Sequence, residues 1–370
     1  MSPVAAALRR LMLCVACTAL AAATASQAAP APMREITSLE LAREMSPGIN
    51  LGNTLEARPA ETSWGNPPPN RRLMNAYKAA GFRSVRIPVA WSQYVDADDR
   101  IRPAWMAHVR QTVDDARAAG LIAMINIHWD GGWMDHPFRA KQAAINARLK
   151  RLWTQIAAAF EDCDEGVLFA GTNEVMEENV WSTPTAENLE VQASFNQAFV
   201  DAVRATGGHN AKRHLVVQAY NTNFDYAVKW AVMPKDSVAD RLMLEVHYYD
   251  PYDFALNEKS RIWQWGAIAQ DPEAVQHWAD EAYADAKARS LRERFIDQGV
   301  PVIVGEYGAY PKRAFPGMQP YVHHWIREVT TAMRRHGLVP MWWDTGALFD
   351  RRSGEQKDPQ TIRLIVESGR

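Results

Sequence analysis

The ten residues PVIVGEYGAY (301–310) place Val302, Ile303 and Val304 in succession and then set Glu306 between Gly305 and Tyr307, with Gly308 following. An unbroken apolar run of this kind, without polar alternation, reads as a strand buried on both faces, as in a parallel sheet. Delivering a carboxylate to the end of such a strand is costly unless other groups meet it there. The reading of the whole chain turns on what else arrives at that place.

Working outward, seven further runs have the same character: GINLGN (48–53), SVRIPV (84–89), LIAMINIH (121–128), GVLFAGTNE (166–174), HLVVQA (214–219), LMLEVHYY (242–249) and VPMWWDTG (339–346). Amphipathic stretches lie between them, including RLMNAYKAAG (72–81), AWMAHVRQTVDDARAAG (104–120) and EVQASFNQAFVDAVRATGG (190–208). Each of the three ends in Gly, as helix C-termini often do. Eight strands alternating with helices predict an α/β fold, a single (β/α)8 TIM barrel. A doubly wound open sheet is the alternative, but GINLGNTLEA lacks the G-x-G-x-x-G phosphate turn that such a fold would carry after its first strand.

Polar groups collect at the C-terminal ends of these strands. The second carries Arg86, the third ends at His128, the fourth at Asn173 and Glu174, the sixth at His247 and Tyr249, the seventh at Glu306, and the eighth holds Trp342 and Trp343. In a barrel that is the face on which active sites are built. Two glutamates facing one another across a barrel mouth suit glycosidic bond cleavage, one protonated to release the leaving oxygen and the other ionised. Arg86 is a fixed cation that would hold one carboxylate ionised, with Tyr249 donating to the same group. The carboxylate without these partners would then carry the proton. A metal centre built from His128, Asp130, His247 and Glu306 is a second reading, but the chain has no H-x-H or H-E-x-x-H pair to support it. No metal and no cofactor are expected.

With 41 basic and 43 acidic residues, the chain has no charge excess to favour nucleic acid or an anionic membrane surface. Its 14 tryptophans are the compositional excess, and flat indole rings suit sugar faces. Trp64, Trp129, Trp133, Trp181, Trp263 and Trp265 all fall after strand ends, where they would either stack on sugar or pack the loops. Trp91 and Trp153 are expected to pack helices on the barrel. Arg9 and Arg10, the apolar LMLCVACTALAAA (11–23) and the small residues of SQAAPAP (26–32) read as an export signal over residues 1–29. The apolar run is short for a membrane span. Residues 30–370 would form the catalytic domain, secreted or periplasmic, with no membrane contact in the mature form. Cys163 is left without a partner cysteine. The sequence gives no sign of oligomerisation, and a monomer is expected.

The same segments resemble glycoside hydrolase family 5, the cellulase family. GINLGNTLEA is similar to its opening strand, GFRSVRIPVAW to its second-strand arginine motif and INIHWD to its third-strand histidine. LFAGTNEV resembles its Asn-Glu motif, EVHYYDPYDF its His-x-Tyr motif, VIVGEYG its nucleophile strand and MWWDTG its eighth-strand tryptophan. Trp129 stands where a second His is frequent, and Val175 where Pro is common. The resemblance implies that Glu174 is the general acid/base and Glu306 the nucleophile of a retaining mechanism. It implies that Arg86 and Tyr249 hold Glu306, that Asn173 binds the 2-hydroxyl, and that His128, His247 and Trp343 shape the sugar subsite. It also implies a cis peptide after Trp343. The expected substrate is a β-1,4-linked glucan, cleaved internally, with xyloglucan, mixed-linkage glucan and mannan as alternatives. A non-catalytic carbohydrate-binding barrel is the alternative of another class. Gly305 and Gly308 are expected to leave room for sugar.

Overall fold

The computed structural model describes residues 32–369, so the predicted signal at 1–29 lies outside the described residues. All eight predicted strands form: β1 (Gly48–Leu51), β2 (Ser84–Ile87), β3 (Ile122–Asn126), β4 (Val167–Ala170), β5 (Leu215–Gln218), β6 (Leu242–Tyr248), β7 (Val302–Tyr307) and β8 (Val339–Asp344). They pair in parallel in chain order and close into a barrel, with Gly48 of β1 opposite Met341 of β8. The crossover helices follow the predicted segments. Arg71–Ala80 starts on an Asn70 cap and stops at Gly81, whose φ of 106° ends the helix in the left-handed region. Ala186–Ala205 begins four residues before the predicted start, because Thr185 and Asn188 close a capping box there.

Strand alternation sorts the apolar side chains into two separate clusters. Val85, Ile125, Phe169, Val217, Val246 and Val304 point outward and pack with the helices. Ile122, Met124, Leu168, Val216, Met243, Ile303 and Met341 point inward and fill the lower barrel. Leu41, Ala42 and Met45 join this inner cluster. They come from α1 (Ser38–Met45), a helix the sequence reading did not foresee. It forms on a Thr37–Glu40 capping box and plugs the barrel at the N-terminal ends of the strands.

Above the apolar plug the barrel interior turns polar. Asn50, Arg86, Asn126, Gln218 and Glu245, from β1, β2, β3, β5 and β6, are all buried there. The rim lies above them. Strand β7 reaches it through a bulge. Val246 pairs with Val304, but His247 pairs with Glu306, so Gly305 is the extra residue. The bulge turns Glu306 inward and lets Tyr307 point outward against Trp325 and Trp342. A Cβ at Gly305 would overlap Glu245 Oε1. The expectation that Gly305 and Gly308 leave space for sugar is therefore corrected: Gly305 makes room for a buried carboxylate, and Gly308 lies against the Tyr310 hydroxyl.

If α1 is a plug, shortening its buried Leu41 (0% exposed) should cost roughly 2–5 kcal/mol of stability. Leu41→Ala should melt several degrees lower while keeping wild-type activity at temperatures well below its transition. A calorimetric scan unchanged from wild type would contradict this placement.

Candidate active site

The rim brings together Arg86, His128, Asn173, Glu174, His247, Tyr249, Glu306 and Trp343. Arg86 Nη1 lies 2.9 Å from Glu306 Oε1 and 3.0 Å from Asn50 Oδ1, and Nη2 donates to Asn173 Oδ1 at 2.6 Å. Its Nε pairs with Glu245 Oε1 at 2.8 Å. The Tyr249 hydroxyl donates to the other oxygen of Glu306 at 3.1 Å. Across the cleft, Glu174 Oε1 takes a 2.7 Å hydrogen bond from His247 Nδ1, whose other ring nitrogen faces Glu245 Oε1 at 3.1 Å. Asn173 Nδ2 is buried and has no partner among the described residues, leaving it free for a ligand oxygen. His128 stacks on Trp343, with ring centroids 5.6 Å apart. Gly52 lets the Trp343 ring approach the β1 backbone, where a Cβ would come within 2.9 Å of the indole.

Glu174 sits at φ 51°, a left-handed conformation that a side chain seldom adopts. Its backbone N–H donates to Gln218 Oε1 at 3.0 Å, which helps to hold it there. Glu174 is half open to the cleft, whereas Glu306 is 5% exposed.

The proton affinities correct one expectation. Glu174 does not lack a cationic partner. Burial opposes its ionisation, but the His247 hydrogen bond and charge, with Arg86, bring its carboxyl below the usual range. At Glu306 burial dominates; with Glu174 and Glu245 near, it outweighs His247 and Arg86 and raises the carboxyl above its usual value. His247 is disfavoured as a cation by burial, yet the surrounding Glu306, Glu174 and Glu245 push it up to about 9. The free site at neutral pH therefore stores a proton on His247, on the 2.7 Å line to Glu174. Burial and the nearby Arg86 and His247 charges keep His128 neutral, far below its ordinary value. Burial and the Glu306 charge keep Tyr249 a hydroxyl donor.

The metal reading divides. Asp130 is turned away from the rim, its oxygens accepting from the Trp91 and Ser92 N–H groups at 2.7 and 2.8 Å and from Trp133 Nε1 at 2.8 Å. Donor atoms of Glu174, His247 and Glu306 do lie within 4.8 Å of one another. Those atoms already bond one another, Arg86 and Tyr249, and a cation among them would face the buried guanidinium.

Around this centre runs a cleft of about 1020 Å³ whose lining includes Trp129, Trp181, Tyr252 and Trp343. Of the loop tryptophans offered for stacking, Trp129 and Trp181 line it. Trp263 packs on Phe315, Trp265 is buried, and Trp133 lies under Arg148. Trp91 and Trp153 are fully buried, as expected. The cis peptides among the described residues are Ser46–Pro47, Arg58–Pro59 and Asp250–Pro251, so the bond after Trp343 is not one of them.

Residues 50–348 match the model of the cellulase family, glycosyl hydrolase family 5. The chain belongs to glycoside hydrolase family 5. It is similar to the xyloglucan-specific endo-β-1,4-glucanase of Bacteroides ovatus, at 44% identity over 90% of this chain and 71% of that protein. It is also similar to endoglucanase A of Paenibacillus barcinonensis, at 35% identity over 96% of each. The solved Bacteroides ovatus family 5 xyloglucanase in complex with a XXXG heptasaccharide superposes with a TM-score of 0.88. That match is 43% identical and covers 91% of this chain and 78% of the other. This family 5 chain is thus a glycoside hydrolase on a (β/α)8 barrel.

Glu245, Asn50 and Gln218 join the site without having been singled out from the sequence. The period-two pattern Met243, Glu245, His247, Tyr249 held the signal for Glu245. Arg86 offers a test. A lysine cannot reach Asn50, Glu306, Asn173 and Glu245 at once. Arg86→Lys should lower kcat at least ~10-fold, since charge-assisted bonds are worth about 1.5–3 kcal/mol each. Wild-type kcat in a folded variant would show that the fork geometry is dispensable.

Proposed function

We propose that this enzyme hydrolyses β-1,4-glucan backbones at internal bonds with retention, Glu306 acting as nucleophile and Glu174 as acid/base. The observation that carries this reading is the short gap between the two glutamates, with donor oxygens within 4.8 Å. Retaining enzymes hold their carboxyl groups about 5–5.5 Å apart, and inverting ones about 6.5–9.5 Å to admit a water.

Glu306 attacks the anomeric carbon. The bond to the departing sugar breaks, its electron pair goes to the glycosidic oxygen, and that oxygen takes the proton of Glu174. The proton stored on His247 reaches Glu174 along their hydrogen bond as the sugar excludes water, since a buried ion pair loses its advantage over the neutral pair when desolvated. Arg86 and Tyr249 hold Glu306 aimed and favour its ionised form. In the second half Glu174 takes a proton from water, whose oxygen attacks the glycosyl ester and frees Glu306. Asn173 Nδ2, left unpartnered, suits the 2-hydroxyl, and Trp343 with neutral His128 forms the platform beneath the reacting sugar.

Among β-1,4-glucans, xyloglucan has specific support. The cleft is wide, and Trp129 (49% exposed), Trp181 (78%) and Tyr252 (61%) stand open to solvent at its edges, where side-chain sugars of a decorated backbone could stack. The Bacteroides ovatus relative carries xyloglucan in its name, and the solved Bacteroides ovatus structure is titled a xyloglucanase. We also infer export by residues 1–29 and a working site outside the cytoplasm, with the protein acting as a monomer. Among the described residues no helix is long and apolar enough to cross a membrane.

Reducing-end release on carboxymethyl-cellulose, mixed-linkage glucan, xyloglucan, mannan and xylan should rank xyloglucan and the unbranched glucans above mannan and xylan. Activity should be unchanged by chelator and fall at least about a thousandfold in Glu306→Gln. Glu174→Ala should regain activity with azide on an aryl glycoside that has a good leaving group. Binding of every polymer with no cleavage would instead support a non-catalytic sugar-binding barrel.

A further inference from the structure

Glu245 is a charged group that the two-glutamate chemistry does not itself use. It is fully buried beneath the rim, and β7 gives up a side chain at Gly305 to admit it. Its Oε1 lies 2.8 Å from Arg86 Nε and 3.1 Å from His247 Nε2. One buried oxygen thus contacts both cations that flank the reacting carboxylates, Arg86 on the Glu306 side and His247 on the Glu174 side. Its other oxygen faces the Gln218 amide, and burial, which opposes the charge, is outweighed by Arg86, His247 and the Gln218 side chain.

This geometry has a consequence for the imidazole. Nε2 faces the Glu245 carboxylate throughout, whereas Nδ1 faces Glu174, which becomes a donor once it carries the proton; with Glu174 protonated the neutral ring therefore keeps its hydrogen on Nε2. Nδ1, 2.7 Å from Glu174 Oε1, is then the nitrogen that gives up its proton. A neutral ring with hydrogen on Nδ1 instead would leave Nε2 and Glu245 lone pair to lone pair. It would also set two hydrogens against each other whenever Glu174 is protonated on Oε1.

We propose that Glu245 is a positioning residue that fixes His247 in its Nε2–H form, making the His247–Glu174 hydrogen bond the store of the proton passed to the departing sugar oxygen. The proposal rests on Glu174 and Glu306 being the reacting pair. The charged and titratable groups facing this array are Arg86 from β2, His128 after β3, Glu174 after β4, Glu306 from β7, and His247 and Tyr249 on either side of the β6 end.

The sign of the expected effect follows from charge. An anion raises the proton affinity of its neighbours, so removing it must lower that of the Glu174–His247 pair and of Glu306 alike. In kcat/KM against pH, the basic limb reports loss of the stored proton and the acid limb protonation of Glu306. Glu245→Gln should move both limbs to lower pH, by roughly one unit, with the larger loss in kcat rather than KM. Glu245→Asp should restore much of the wild-type profile. In 15N spectra of wild-type protein, with His247 assigned by His247→Asn, the ring should lose its Nδ1 hydrogen first and keep Nε2–H at high pH. Limbs that stay in place in a folded Glu245→Gln, or a neutral His247 in the Nδ1–H form, would overturn the proposal. The spectra decide the matter even if the Glu245 variants fail to fold. Full activity in Glu306→Gln would overturn the underlying two-glutamate reading, which a failure at Glu245 alone would leave standing.

Discussion

Arg86 carries its charge at the foot of the cleft with no water to share it, 0% exposed. Desolvating a guanidinium is expensive, and only a full set of well-placed partners offsets it. β1 supplies Asn50, the end of β4 supplies Asn173, β6 supplies Glu245 and β7 supplies Glu306. The barrel is closed around this one side chain: five strands must hold their register for the charge to be tolerated. The same contacts that satisfy the cation hold the Glu306 carboxylate and the Asn173 amide rigidly.

At the foot of the cleft stand three carboxylates and two cations, Glu174, Glu245 and Glu306 with Arg86 and His247. That balance leaves the array one negative charge from neutrality, so a single proton moving within it changes which carboxyl is acid and which is base. In the free site that proton rests on His247. The strain at Glu174, with its left-handed backbone, is borne by surrounding bonds such as that from its N–H to Gln218. The wide aromatic-edged cleft then determines which glucans reach this centre.

The strands were legible because buried parallel strands announce themselves as apolar runs, and because each ended in a polar residue that an apolar core would not keep. Glu306, Arg86 and Tyr249 met as expected for that reason. Helix α1 was hidden in a polar lead-in, although Thr37 and Glu40 spell a capping box three residues apart. Glu245 was hidden inside a strand whose inward face had been read only at its end. The bulge at Gly305 could not be read locally, because it is a mismatch of register between β7 and its neighbours. The order of proton affinities depends on His247 meeting Glu174 from 73 positions away in the chain, a fact of three-dimensional packing. Trp263 and Trp265 follow a strand like the cleft tryptophans do, yet they pack against Phe315, Tyr321 and His324 from the chain after β7.

The most direct test is to trap the covalent intermediate. A 2-deoxy-2-fluoro cello-oligosaccharide with a dinitrophenolate leaving group should inactivate the enzyme and add a single glycosyl mass to the chain. Peptide mapping should then locate the sugar on Glu306. A label on Glu174, or no label together with release of the inverted anomer by NMR, would contradict the two-glutamate retaining account.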